Sequence, residues 1–205
     1  KPSNLLINNI LYNIFKCCKY ILIINILFAQ NEVCFEIEGN PMQNEPGFSY
    51  FAKYIKVLDC FEIFAPSNIS DEKVLHVAAI AAELLDNDED GEVDDPLIKQ
   101  ELMEKNALMP IFTSEWSQAA NNFFNNYDGD GVSAVLFNGE IDPSNPGHWG
   151  DDATVEEVIH TINHVGHVNV YPETFDIQPN SSIMSEAMDI ARGGQFLNIP
   201  NQYPE

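Results

Sequence analysis

The residues with the clearest chemistry are the carboxylates of Asp86-Asn87-Asp88-Glu89-Asp90-Gly91-Glu92-Val93-Asp94-Asp95. Acids at alternate positions let a looping backbone turn Asp86, Asp88 and Asp90 toward one point. Gly91 stands where such a loop must turn sharply, and Val93 offers one apolar side chain to anchor it. Like charges packed this closely repel one another unless a cation sits among them. Oxygen-only donors on a flexible loop suit a hard cation, and Ca²⁺ accepts irregular coordination more readily than Mg²⁺ does. The plain alternative is a solvated acidic turn, as charge runs usually are.

A second set of candidates lies in His160-Thr161-Ile162-Asn163-His164. Thr154 or Asp152 is placed to cap a helix running to about Val165. At about 3.6 residues per turn, that helix stacks Glu156, His160 and His164 on one face with Glu157 beside them. Two histidines at this spacing can grip one Zn²⁺. A further helix over Ser181–Arg192, stopped by Gly193-Gly194, offers Glu186 or Asp189 as a third ligand. Thr161 cannot take a proton from a metal-bound water, so Glu157 or Glu156 would have to act as base. Ordinary surface or half-buried histidines are the competing expectation, and His167 falls on another face after Gly166.

The acidic run resembles the calcium loops of EF-hands and the related Asp-rich loops of dockerins and thrombospondin type 3 repeats. With Asp86 at loop position one, the resemblance implies that Asp88, Asp90, the Glu92 carbonyl and Asp94 are ligands as well. Leu97 stands where those loops carry a bidentate Glu. That departure implies weaker binding, or a last ligand from Asp95 or elsewhere. The histidine helix is similar to the HExxH helix of zincins, with Thr161 in place of the general-base Glu. Three blocks, Leu85–Gly91, Glu156–His160 and Ala187–Gly194, resemble a family of secreted or cell-surface proteins over about residues 50–205. That resemblance implies no activity. Members of such a family continue past Tyr203-Pro204-Glu205, which implies that the chain stops short of a full domain.

The elements that must position these groups are legible in part. Val33–Glu38 alternates like a half-exposed strand, Gly39–Gly47 is a Pro/Gly/Asn loop, and Tyr54–Ala65 reads as one or two strands. Ser70 can cap a helix that begins with Asp71 and Glu72 and delivers the chain into the acidic loop through Leu85. Beyond the loop Asp95 caps, Pro96 fits the first helical position, and helix continues to Lys105. The loop is therefore expected between two helices. Ala107–Phe112, interrupted by Pro110, is expected as an edge strand. Ser114 is expected to cap a helix through Trp116, Ala119, Ala120 and Phe123. Asn126–Gly131 repeats the alternate-oxygen spacing weakly, although Asp-Gly pairs are ordinary turn chemistry.

Composition narrows the partners. The chain has 205 residues, 32 acids and 9 bases, a formal net charge of −23. Nucleic acid is an improbable partner for such a surface, and divalent cations, basic surfaces, matrix or cell-surface components fit better. A hydrophobic fraction of 45% with 13 Phe supports a folded core. Lys1–Gln30 differs from the rest: it has no acids, and Lys16 and Lys19 precede the apolar run Tyr20–Ala29. This reads as a secretory signal ending near Ala29, with a retained membrane anchor as the alternative. Behind it Cys34 and Cys60 are expected either as one disulfide or as two buried thiols. Asn68-Ile69-Ser70 and Asn180-Ser181-Ser182 are glycosylation sequons.

The expected protein is thus a single α+β domain over residues 30–205 behind a leader over 1–29. The expected function is secreted calcium binding in a structural or matrix role. The alternatives are a zincin-like metal hydrolase built on His160, His164 and Glu186, and an acidic mineral-associated matrix protein.

Overall fold

The computed structural model describes residues 35–147 and 152–195. The aromatic and β-branched side chains of Lys53–Ala65 form an antiparallel hairpin of β2 (Lys53–Val57) and β3 (Phe61–Ala65), with Val57 opposite Phe61. Its turn is closed by Leu58 and Asp59, both left-handed at φ 46° and 62°. A short β1 (Glu38–Gly39) pairs with the outer side of β2. The expected strand over Val33–Glu38 is thus paired only at its last residue, and Phe35–Ile37 run unpaired.

After β3 the chain crosses over the sheet through two helices. Ser70 accepts a hydrogen bond from the Lys73 amide and starts α1 (Asp71–Leu85), whose first turn carries Asp71 and Glu72. Asp95 caps α2 (Pro96–Lys105) by accepting from the Leu97 and Ile98 amides, with Pro96 in the first turn. Asn106 takes the left-handed conformation at φ 54° and ends α2. Strand β4 (Leu108–Phe112) then pairs parallel to β3, and β5 (Leu136–Phe137) pairs parallel to β4.

β4 is therefore an interior strand, not the edge strand that Pro110 suggested. The Leu108 amide donates to the Gly131 carbonyl on the β5 side. Alternation along the strand turns the Pro110 nitrogen to that same side, one residue before the β5 ladder begins at Ile111. A missing donor costs little there.

The β4–β5 connection carries α3 (Gln118–Asn126), capped by Ser117 rather than Ser114. The Ser114 carbonyl accepts from the Ser117 amide in a preceding turn, and this leaves Trp116 outside the helix and 80% exposed.

Two apolar layers flank the sheet. Ile55, Val57, Ile63, Met109 and Ile111 face Val74, Val77, Ala81, Ile98 and Leu102 of α1 and α2. Tyr54, Phe64, Leu108 and Phe112 face Phe48, Phe51 and the α3 residues Ala120 and Phe123. Side chains of one strand go to opposite layers by simple alternation. The two crossovers run over opposite faces while stepping the same way across the sheet. They are therefore of opposite hand, one of them the uncommon left-handed kind.

The remaining helices extend the first layer. A 3₁₀ turn (Asn138–Glu140) leads to α4 (Thr154–Thr161), which passes without a break into a π-helical turn (Ile162–His167) and then α5 (Val168–Val170). Short α6 (Pro172–Phe175) and α7 (Ile183–Ala191), the latter capped by Ser182, complete the order. The protein is a mixed α+β fold, and residues from Phe35 onward form one unit. Among the described residues no helix is long and apolar enough to cross a membrane. The leader over 1–29, Cys34 and His148 lie outside the described residues.

Candidate metal centre

The loop between α1 and α2 is folded by its own carboxylates. Asp86 ends α1, its amide still bonded to the Ala82 carbonyl, and only 7% of the residue is exposed. Its Oδ1 accepts from the Asp90 amide at 3.1 Å and its Oδ2 from the Gly91 amide at 2.8 Å. The chain thereby wraps around the Asp86 side chain. Glu89 and Gly91 make the turn with positive φ, 58° and 90°, and Val93 is buried beneath it. Asp94 closes the loop: its amide donates to the Leu85 carbonyl and its Oδ2 accepts from the Asn87 amide and Nδ2.

This wrapping brings Asp86, Asp88 and Asp94 together, with ligand oxygens within 4.8 Å of one another. Among the described residues it is the one group of three or more His, Cys, Asp or Glu side chains that converges so closely. The Asp90 charge, aided by partial desolvation and by Asp94 and Asp86, pushes the Asp88 carboxyl above its ordinary value. A divalent cation at the common point would remove that repulsion.

The other carboxylates of the loop lie outside this group. Asp90 Oδ1 accepts from the Glu92 amide at 2.9 Å, and the Glu92 carboxylate pairs with Lys99 at 3.0 Å. Leu97 is exposed. Asp95, the expected substitute for the missing Glu, has both oxygens in use. Oδ1 caps α2, and Oδ2 accepts from the Tyr171 hydroxyl at 2.8 Å. Burial alone would raise its carboxyl, but the Tyr171 hydroxyl and the two amides outweigh it and hold the group low.

The histidine helix is arranged differently. His160 and His164 are both exposed, and His160 Nδ1 lies 3.5 Å from Glu157 Oε2. Burial, only partly offset by His160, raises the Glu157 carboxyl. His160, His164 and Glu186 do not form a converging group. The helical stacking assumed for the two histidines is interrupted by the π turn, in which the Val168 amide bonds to the Asn163 carbonyl. The Asn169 side-chain amide takes the carbonyls of His164 and Val165, at 3.2 and 2.8 Å, that a regular helix would have used. Gly166 allows the wide turn to lie against α2. A Cβ there would sit 3.2 Å from Ile98 Cγ2 and 3.3 Å from Leu102 Cδ2. The expected cap at Thr154 or Asp152 falls at Ala153, which makes no side-chain bond, although Asp152 accepts from the Thr154 amide.

Two polar centres escaped the sequence reading. Asp152 is buried and accepts from His76 Nε2, the Gly147 and Asp142 amides, and the Thr154 amide and hydroxyl. Burial alone would raise its carboxyl; these donors outweigh burial and hold it at about 2. The Tyr171–Asp95 bond is the other. Both join residues 76 positions apart, so no local pattern announces them.

The remaining candidates have local explanations. In the Asn126–Gly131 turn the Gly131 amide donates to the Tyr127 hydroxyl, and a Cβ on Gly131 would fall 2.1 Å from the Asn106 carbonyl oxygen. Gly131 is thus required by close packing. Cys60 is buried, and burial pushes its thiol up to about 11. Asn68 and Asn180 are exposed, but the third residue of each sequon, Ser70 or Ser182, is also a helix cap.

Comparison of the chain with models of protein families, with curated proteins and with solved structures finds no match.

Proposed function

We propose that this is a secreted calcium-binding protein in which the ion holds the α1–α2 loop folded, in a structural or matrix role. The observation that carries the reading is the convergence of Asp86, Asp88 and Asp94 between two helices. The donors are all oxygen and the loop is irregular, which suits Ca²⁺ better than Mg²⁺ or a transition metal. Three carboxylates supply three to six of the six to eight oxygens that Ca²⁺ takes, so backbone carbonyls or water complete the shell. The affinity expected of such a site is that of extracellular modules, with Kd on the order of 10⁻⁴–10⁻³ M. Extracellular placement rests on the composition of Lys1–Gln30.

Calorimetric titration with CaCl₂, beside melting curves in calcium and in chelator, tests the proposal. One site per chain and a raised midpoint in calcium are expected. Identical midpoints in the two conditions would refute it.

A further inference from the structure

Glu62 is the charged residue in an otherwise apolar β3, Phe-Glu-Ile-Phe-Ala, and alternation turns it toward the aromatic layer. Its side chain is only 20% exposed, with the Tyr54 hydroxyl 3.0 Å from Oε1 and Lys56 Nζ 3.8 Å away across the hairpin. Leu108 of β4 stands beside it in register. Burial first, and then the Glu62 charge, push the Tyr54 hydroxyl well above its ordinary range, so the carboxylate is felt inside this layer.

A cavity of about 490 Å³ opens over Glu62 and Leu108, walled by Met42, Phe48 and Tyr127. The Tyr127 ring is held in place by stacking on Phe123, with centroids 4.7 Å apart, and by the edge of Phe48 at 5.9 Å. Glu104 and Asp130 stand at the rim with Lys105, whose ammonium is 4.0 Å from Asp130. Three carboxylates therefore meet two cations, Lys56 beside Glu62 and Lys105 beside Asp130, around a pocket with aliphatic and aromatic walls. The volume is that of a small-ligand site.

The geometry points to a binding site for a primary ammonium group on an aliphatic stem, with Glu62 receiving the charge and Met42, Leu108 and Tyr127 enclosing the methylenes. A carboxylate at the floor gives the ammonium a charge-assisted hydrogen bond, and aromatic rings favour a cation at their faces. An anion would meet net negative charge. A neutral ligand of the same shape would leave Glu62 with only Tyr54 and the more distant Lys56, and would gain nothing from the carboxylate excess. Free diamines and lysine side chains of a peptide share this chemistry.

The test is NMR titration of the full chain with 1,5-diaminopentane, with N-acetyl-lysine methylamide, and with 1-pentanol as the uncharged control. Both amines are expected to shift Met42, Leu108 and Tyr127 resonances, and the tighter of the two identifies the source of the group. Glu62→Gln keeps the shape and an acceptor for Tyr54, and should weaken amine binding about five-fold or more. The rim variant Glu104→Gln/Asp130→Asn, remote from the core, should weaken it about two-fold and serves if Glu62→Gln fails to fold. Equal binding of 1-pentanol, unchanged amine affinity in the variants, or no shifts at these three residues would overturn the site.

Discussion

The acidic loop and the histidine helix both offer metal-ligating residues at suggestive spacing, and they end in opposite conditions. In the loop, backbone amides of Asp90 and Gly91 point inward at Asp86, and the chain curls until Asp88 and Asp94 arrive at the same place. In the helix, the buried residues Val158, Ile162, Val165 and Gly166 set the orientation, and His160 and His164 are left in solvent. Loop spacing brings donors together because the donors themselves fold the loop. Helical spacing brings them together only if the helix keeps its period, and here packing on α2 and the Asn169 amide widen it.

The largest expected effect separates the two regions directly. With calcium at about 100 times Kd, the ion should stabilise the fold by about 2.7 kcal/mol and raise the melting midpoint by roughly 5 °C or more. Zinc should not do the same. A zinc-dependent rise abolished by His160→Ala would erase the contrast. Next in size, Asp86→Ala should cost about 2 kcal/mol in chelator, because two partly buried amides lose their acceptor, and more in calcium, where a ligand of the ion goes as well. Denaturant unfolding in both conditions measures this; a loss confined to calcium would show that the loop does not need Asp86 for its shape.

Asp88→Asn sharpens the comparison by sign. It should lower the midpoint in calcium and leave it unchanged or slightly higher in chelator, since the Asp88 carboxylate is repelled by its neighbours. A fall of equal size in both conditions would contradict the crowding. The pH dependence in chelator should also oppose the two regions. Asp88 has a folded value above its unfolded one, so its part of the fold gains stability as pH falls through the carboxylate range. His167, held low by burial, gains stability as pH rises and loses it below its ordinary value of 6.5. Stability profiles of Asp88→Asn and His167→Gln should each lose one of these slopes. The smallest effect is expected for His160→Ala alone, within about 0.5 kcal/mol, as for surface changes generally.

Much of the frame around the loop was legible because its signals are local. Ser70, Asp95 and Pro96 mark helix starts within three residues, and the aromatic and β-branched content of Tyr54–Ala65 marks strand, although only the structure shows it to be the two strands of a hairpin. Ser114 misled because two serines three apart both suit a cap, and only the second opens the helix. Pro110 misled because the cost of a proline in a sheet depends on which side its nitrogen faces. Asp88 could be named from spacing and Asp94 only through the likeness to calcium loops, but Asp90 turned back to the Glu92 amide, a choice that spacing does not distinguish. The π turn and the contacts of Asp152 and Tyr171 depend on partners far along the chain. Glu62 carried a readable signal, a charge in a strand that is apolar on both sides, whose meaning waited on the cavity above it.

The Tyr171–Asp95 bond fastens the residue just beyond the acidic loop to the distal helices. An event that unseats the loop therefore releases a latch 76 residues further along the chain. Amide exchange over Val168–Phe175 becomes a remote gauge of what happens at Asp86–Asp94, with every residue of the loop itself left untouched by label or mutation.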